Sequence, residues 1–153
     1  MRYRDIKPFV PHIVLVLCAV GTVVALFVLK STEEKNLRDT VRMQEVLGIK
    51  LGLQRYYVNH AAYPPAPDGP LTLGSRDTRC LSDSGFVLAS HESCIKKRYA
   101  YPIPAGYIYE SRQSDDSVCS AKVGCPRYAI SFSFETNLFA SKGVHTLTPD
   151  ALR

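Results

Sequence analysis

Four cysteines, Cys80, Cys94, Cys119 and Cys125, are the side chains whose number and spacing most plainly suggest chemistry, and that chemistry is oxidation to two disulfides. Four cysteines allow three pairings. The local one, Cys80–Cys94 with Cys119–Cys125, closes the shortest loops and is the pairing expected here. A metal site built from His91 and Cys94 competes for the same residues, but no C-x-x-C pair supports it. The histidines His12, His60, His91 and His145 are scattered, and His12 lies in an apolar run. No nucleophile elbow, H-E-x-x-H or phosphate-binding glycine loop occurs. The expectation is a non-enzymatic chain with no cofactor and no metal.

The elements that must carry these cysteines begin with a hydrophobic span. From Pro8 to Leu29 the chain reads PFVPHIVLVLCAVGTVVALFVL, without a formal charge. A helix of that length, at about 1.5 Å per residue, covers the roughly 30 Å hydrocarbon core of a bilayer. Cys18 falls inside it as a small apolar residue. A cleaved signal peptide would have an apolar core of about 7–15 residues followed by small residues. The longer run here, and the KSTEEKNL that follows it, predict an uncleaved transmembrane helix over 8–30 behind a basic leader over 1–7. That leader places the N-terminus in the cytoplasm and everything after the span outside the cytoplasmic membrane. Three of the five net positive charges lie within the first 30 residues, so the basicity marks topology. Lys96-Lys97-Arg98 reads as a solvated loop, and no nucleic-acid partner is expected.

Beyond the span no proline occurs between His12 and Tyr63, so the helix is expected to continue as an amphipathic stem over 31–62. Met43, Val46, Ile49, Leu53, Tyr56 and Tyr57 recur at spacings of three and four, predicting the face that packs against the rest of the chain. Leu47 and Leu51 widen this arc, while Arg38, Arg42 and Arg55 stand outside its centre. Gly48 and Gly52 each cost a helix about 1 kcal/mol relative to alanine, which points to close approach by another backbone. AYPPAPDGPLTLGS then ends the helix and opens an irregular region over 63–105. Strand patterns follow over 106–153: GYIYES, RYAISFSFE with strict alternation, and VHTLT after the turn at Gly143. One long helix laid on an antiparallel sheet of three or four strands gives both apolar faces a partner, an α+β fold. The tyrosines that close the stem offer broad apolar surface with hydroxyls able to reach loop carbonyls.

LRDTVRMQEVLGIKLGLQRYYVNHAAYP resembles the stem of type IV pilins and type II secretion pseudopilins. The shared pattern falls on Arg38-Asp39, Arg42, Glu45, Ile49, Leu53, Tyr56-Tyr57 and Tyr63-Pro64. YAISFSFETNLFASKGVHTLTPDAL is similar to the closing strands of the same family. The resemblance implies a structural, membrane-anchored subunit that packs through its N-terminal helix with copies of itself or with other pilin-like subunits. It also raises a calcium loop at Asp115-Asp116, set against a solvated hairpin tip.

The processing site departs from the family pattern. Pro8 stands where a glycine precedes the cleaved bond, Phe9 keeps the phenylalanine, and Ile13 replaces the usual glutamate. A peptidase that reads Gly-Phe should handle Pro-Phe badly, because proline fixes φ and has no N–H. An unprocessed chain would also lack the free amine that the glutamate pairs with in the membrane. The alternative reading is therefore an uncleaved, membrane-tethered extracellular binding module, with 64–104 as its contact surface.

Overall fold

The computed structural model describes residues 9–66, 68–119 and 124–152, the side chains of residues 9–12 excepted. Pro8 lies outside them. The order of elements is α1 (Phe9–His60), β1 (Leu71–Leu73), a 3-10 turn (Arg76–Thr78), β2 (Cys80–Ser82), β3 (Gly85–Val87), α2 (Glu92–Lys96), β4 (Arg98–Ala100), β5 (Tyr107–Arg112), β6 (Arg127–Phe134) and β7 (Gly143–Leu147). The fold is α+β, as the sequence predicts: one long N-terminal helix packed on antiparallel sheets of four and three strands.

The chain divides into two compact units between Arg38 and Asp39. In the first, α1 carries a stretch long and apolar enough to cross a membrane, and none of its apolar window is buried within the chain. Thr22 and Thr32 turn their hydroxyls back onto the carbonyls of Cys18 and Val28, which satisfies them without any other partner.

The second unit, Asp39–Arg153, holds the core. The four-stranded sheet runs β1-β5-β6-β7, and the three-stranded sheet β3-β2-β4. Alternation along β5 and β6 sends Tyr107, Tyr109, Tyr128, Ile130, Phe132 and Phe134 into the core. Tyr109 lies opposite Ile130, and Ile130 opposite Leu147, so one buried row crosses three strands. Val46, Ile49, Leu53 and Tyr56 of α1 complete the same core, with Met43 half-buried at its margin. Burial of each such aliphatic side chain contributes roughly 1.5–3 kcal/mol.

Three expectations change here. Leu47 and Leu51 do not widen the buried arc; both are exposed, on the side of α1 away from Val46 and Leu53. Only Gly52 sits under a neighbouring backbone, where a Cβ would come within 2.7 Å of the Ala100 Cβ and 3.2 Å of the Tyr99 carbonyl; Gly48 faces open space. The region over 63–105 is not irregular, since it contains four strands and a short helix of three to five residues each.

Candidate functional site

The candidate site in the second unit is the joint where the stem packs on the sheets. Polar residues on one flank of the stem make that joint specific. Asp39 is wholly buried. Its carboxylate accepts the backbone N–H groups of Glu135 (3.0 and 3.1 Å) and Thr136 (2.7 Å), together with the Thr136 hydroxyl at 2.7 Å. Arg42, one turn on, pairs with Asp39 at 3.0 Å and with Glu135 at 2.8 Å. Glu45, a further turn on, accepts the hydroxyl of Tyr107 from β5. The i, i+3 spacing of Asp39, Arg42 and Glu45 puts all three on one flank of a helix.

Electrostatics agree with this geometry. Burial alone would raise the Asp39 carboxyl, but the Glu135 and Thr136 donors and the Arg42 guanidinium outweigh it and hold the group below the ordinary carboxylate range. Burial, and then the bond to Glu45, push the Tyr107 phenol well up.

The far end of the stem is fastened by tyrosine. Tyr63 exchanges backbone hydrogen bonds with Cys125 at 2.8 and 3.0 Å. Tyr109 donates to the Pro64 carbonyl at 2.7 Å, and Ser111 Oγ accepts from the Ala66 N–H. The Y-P that ends the stem therefore docks the outgoing chain against β5 and the loop before β6. His60 stacks on Tyr56 with ring centroids 4.1 Å apart, and Asp83 accepts the hydroxyl of Tyr99 beside them.

Of the six predicted packing residues, Val46, Ile49, Leu53 and Tyr56 are buried and Met43 is partly so. Tyr57 is 40% exposed and rests on Tyr63 rather than on the sheet. Tyr57 lies one residue past the buried Tyr56, about 100° further around α1, which leaves its ring on the rim of the core. Phe9 opens α1, and Ile13 is exposed along it.

The cysteines pair Cys80 with Cys94 and Cys119 with Cys125, each with Cα atoms 6.2 Å apart. The first staples α2 to the three-stranded sheet; the second closes the loop that carries the Tyr63 bridge. His91 is spent as the N-cap of α2, its Nδ1 accepting the Ser93 N–H. At the other suggested site, Asp115 accepts from Ser117 and Asp116 lies against Arg127. Among the described residues no group of acidic, histidine or cysteine side chains is arranged to hold a metal ion.

Removing the Cys80–Cys94 bridge by a double alanine substitution should lower stability by about 2–4 kcal/mol, the value expected for a loop of this size. Urea unfolding checks the magnitude, and peptide mapping without reductant checks the pairing.

No family model, curated protein or solved structure matches the chain.

Sequence reasoning placed Arg42 outside the apolar arc and gave no partner to Asp39. The available signal was the acid–base–acid repeat at i, i+3, which a solvated helix face rarely needs so close to an apolar stripe.

Proposed function

We propose that the protein is a non-enzymatic, membrane-anchored, pilin-like subunit with an extracytoplasmic head, a structural component of a pilus or type II secretion-like apparatus. One observation carries the reading: an unbroken helix over Phe9–His60 whose later part is clamped to an antiparallel sheet by Asp39, Arg42 and Glu45. These are the positions at which the sequence resembles a pilin stem. The exposed stripe of Leu47, Leu51 and Val58, facing away from the sheet, gives the helix a second apolar side suited to a neighbouring subunit. In this arrangement the apolar part of α1 anchors the chain in the cytoplasmic membrane, N-terminus inside, and the disulfide-bonded unit stands outside.

A second reading, a tethered module that stays out of filaments, is favoured by Pro8 and Ile13. The two separate in a fractionation of cells with and without shearing. A structural subunit co-sediments with sheared surface fibres or with a secretion complex; a tether remains wholly with the membrane.

Processing gives a further expected result. The unmodified chain should keep the residues ahead of Phe9, and Pro8→Gly should permit cleavage before Phe9. The new ammonium would then lack its carboxylate, so filament entry should improve only when Ile13→Glu is added. N-terminal sequencing of membrane-extracted protein reads each step. An unmodified chain beginning at Phe9 contradicts the processing argument.

A further inference from the structure

His60 closes α1, and both nitrogens of its ring face acceptors. Nδ1 lies 2.9 Å from the Tyr56 carbonyl oxygen, and Nε2 lies 3.6 Å from the Asp83 carboxylate. A carbonyl oxygen only accepts, so the Nδ1 contact requires a proton on that nitrogen. A neutral imidazole then has no second N–H and turns the lone pair of Nε2 toward a carboxylate. The imidazolium carries an N–H on each side and satisfies both acceptors. Two further features suit the charged ring. It stacks on Tyr56 with ring centroids 4.1 Å apart and 12° between the planes. It also stands at a helix C-terminus, where the backbone dipole favours a cation.

Asp83 lies in the turn between β2 and β3, so the contact ties the end of the stem to the three-stranded sheet. The Cys80–Cys94 bridge holds α2 to the same sheet. Among the described residues, the titratable groups around His60 are Tyr56 on α1, Asp83, Tyr99 on β4 and Lys97 just before β4. Lys97 lies 3.5 Å from the same Asp83 oxygen that faces His60. The Tyr99 hydroxyl and the Lys97 ammonium hold the Asp83 carboxyl below the ordinary carboxylate range. Contact with Tyr99 raises the Lys97 ammonium, and burial raises the Tyr56 and Tyr99 phenols. These four groups therefore keep one charge between about pH 5 and 8, the range in which an imidazole ordinarily changes its own.

We propose that His60 and Asp83 form a pH-sensitive latch that fastens the three-stranded sheet to the end of the stem in acid and lets go in alkali. Solvent reaches both partners, whose side chains are 29% and 45% exposed, so the charge on the ring follows the medium. Tyr99 stays packed against Tyr56 in either state, so the latch tightens the joint and does not assemble it. The protonated ring makes the contact, so its contribution to stability is present in acid and is lost as the pH rises. The inference is independent of whether the chain enters a filament.

The test is a double-mutant cycle on the full chain in detergent at low salt. His60→Gln, Asp83→Asn and the double variant are unfolded with urea at about pH 5.5 and at about pH 8. Asp83→Asn keeps an acceptor for Tyr99, and His60→Gln keeps a polar side chain at the exposed end of the stem, so the variants should fold. Titration of His91 and His145 and loss of the Lys97 contact are common to both arms and cancel. Coupling between the two positions should amount to about two- to fivefold in the unfolding equilibrium constant at the acid pH, the size of an exposed ion pair. It should vanish at the alkaline pH. Equal coupling at both, stronger coupling in alkali, or none at either overturns the latch.

Discussion

Leu53→Ala is expected to lower the unfolding free energy of the Asp39–Arg153 unit by about 2–5 kcal/mol. Leu53 has no exposed surface and lies in the cluster formed by Val46, Ile49, Tyr109 and Ile130. Removing its branched end deletes apolar area from the core and leaves a void that a helix held at both ends of the stem cannot close. Tyr63 and Pro64 fasten one end and Asp39 the other, so relaxation by sliding α1 is blocked. Arg55→Ala, two positions away on the exposed side, should stay within about 0.5 kcal/mol. Urea denaturation of the two variants beside the unsubstituted chain gives the comparison, and equal effects would place the packing face wrongly.

Asp39→Ala should cost about 3–5 kcal/mol, because it strips the acceptor from two backbone N–H groups, one hydroxyl and one guanidinium together. Asp39→Asn keeps the shape and removes the charge, so it isolates the electrostatic share. The sign of the pH dependence follows from the lowered pKa. The carboxylate stabilises the fold fully above the ordinary carboxylate range, and that contribution is lost as the pH falls through and below it. Unfolding titrations in acid should therefore be less steep for Asp39→Asn than for the unsubstituted chain. Arg42→Ala, at a side chain 31% exposed, should lose only about 1 kcal/mol.

Long-period features were legible in the sequence and short ones were not. The absence of proline between His12 and Tyr63 reads directly as one helix, and the alternation from Tyr128 to Phe134 reads directly as a half-buried strand. β1 to β4 have three residues each, too few for alternation to rise above a proline- and glycine-rich background. Leu47 and Leu51 misled because hydrophobicity alone does not say which of two apolar stripes meets the sheet. The joint was the hardest part to see. Charged residues are expected in solvent, and the donors that reverse this for Asp39 are backbone N–H groups of Glu135 and Thr136, which carry no side-chain signature.

The bond from Asp39 to Thr136 joins residues separated by 97 positions. A ribosome adding about 5–20 residues per second needs roughly 5–20 s to travel that far. During that interval the stem has left the ribosome without the strand it must meet, and its apolar side is open to whatever is nearby. Cys80 and Cys94 emerge well before β6, so their oxidation can precede docking of the helix. Biogenesis thus has a built-in waiting period in which the apolar face of the stem has no partner from its own chain. Only synthesis of the Glu135–Thr136 corner brings that period to an end.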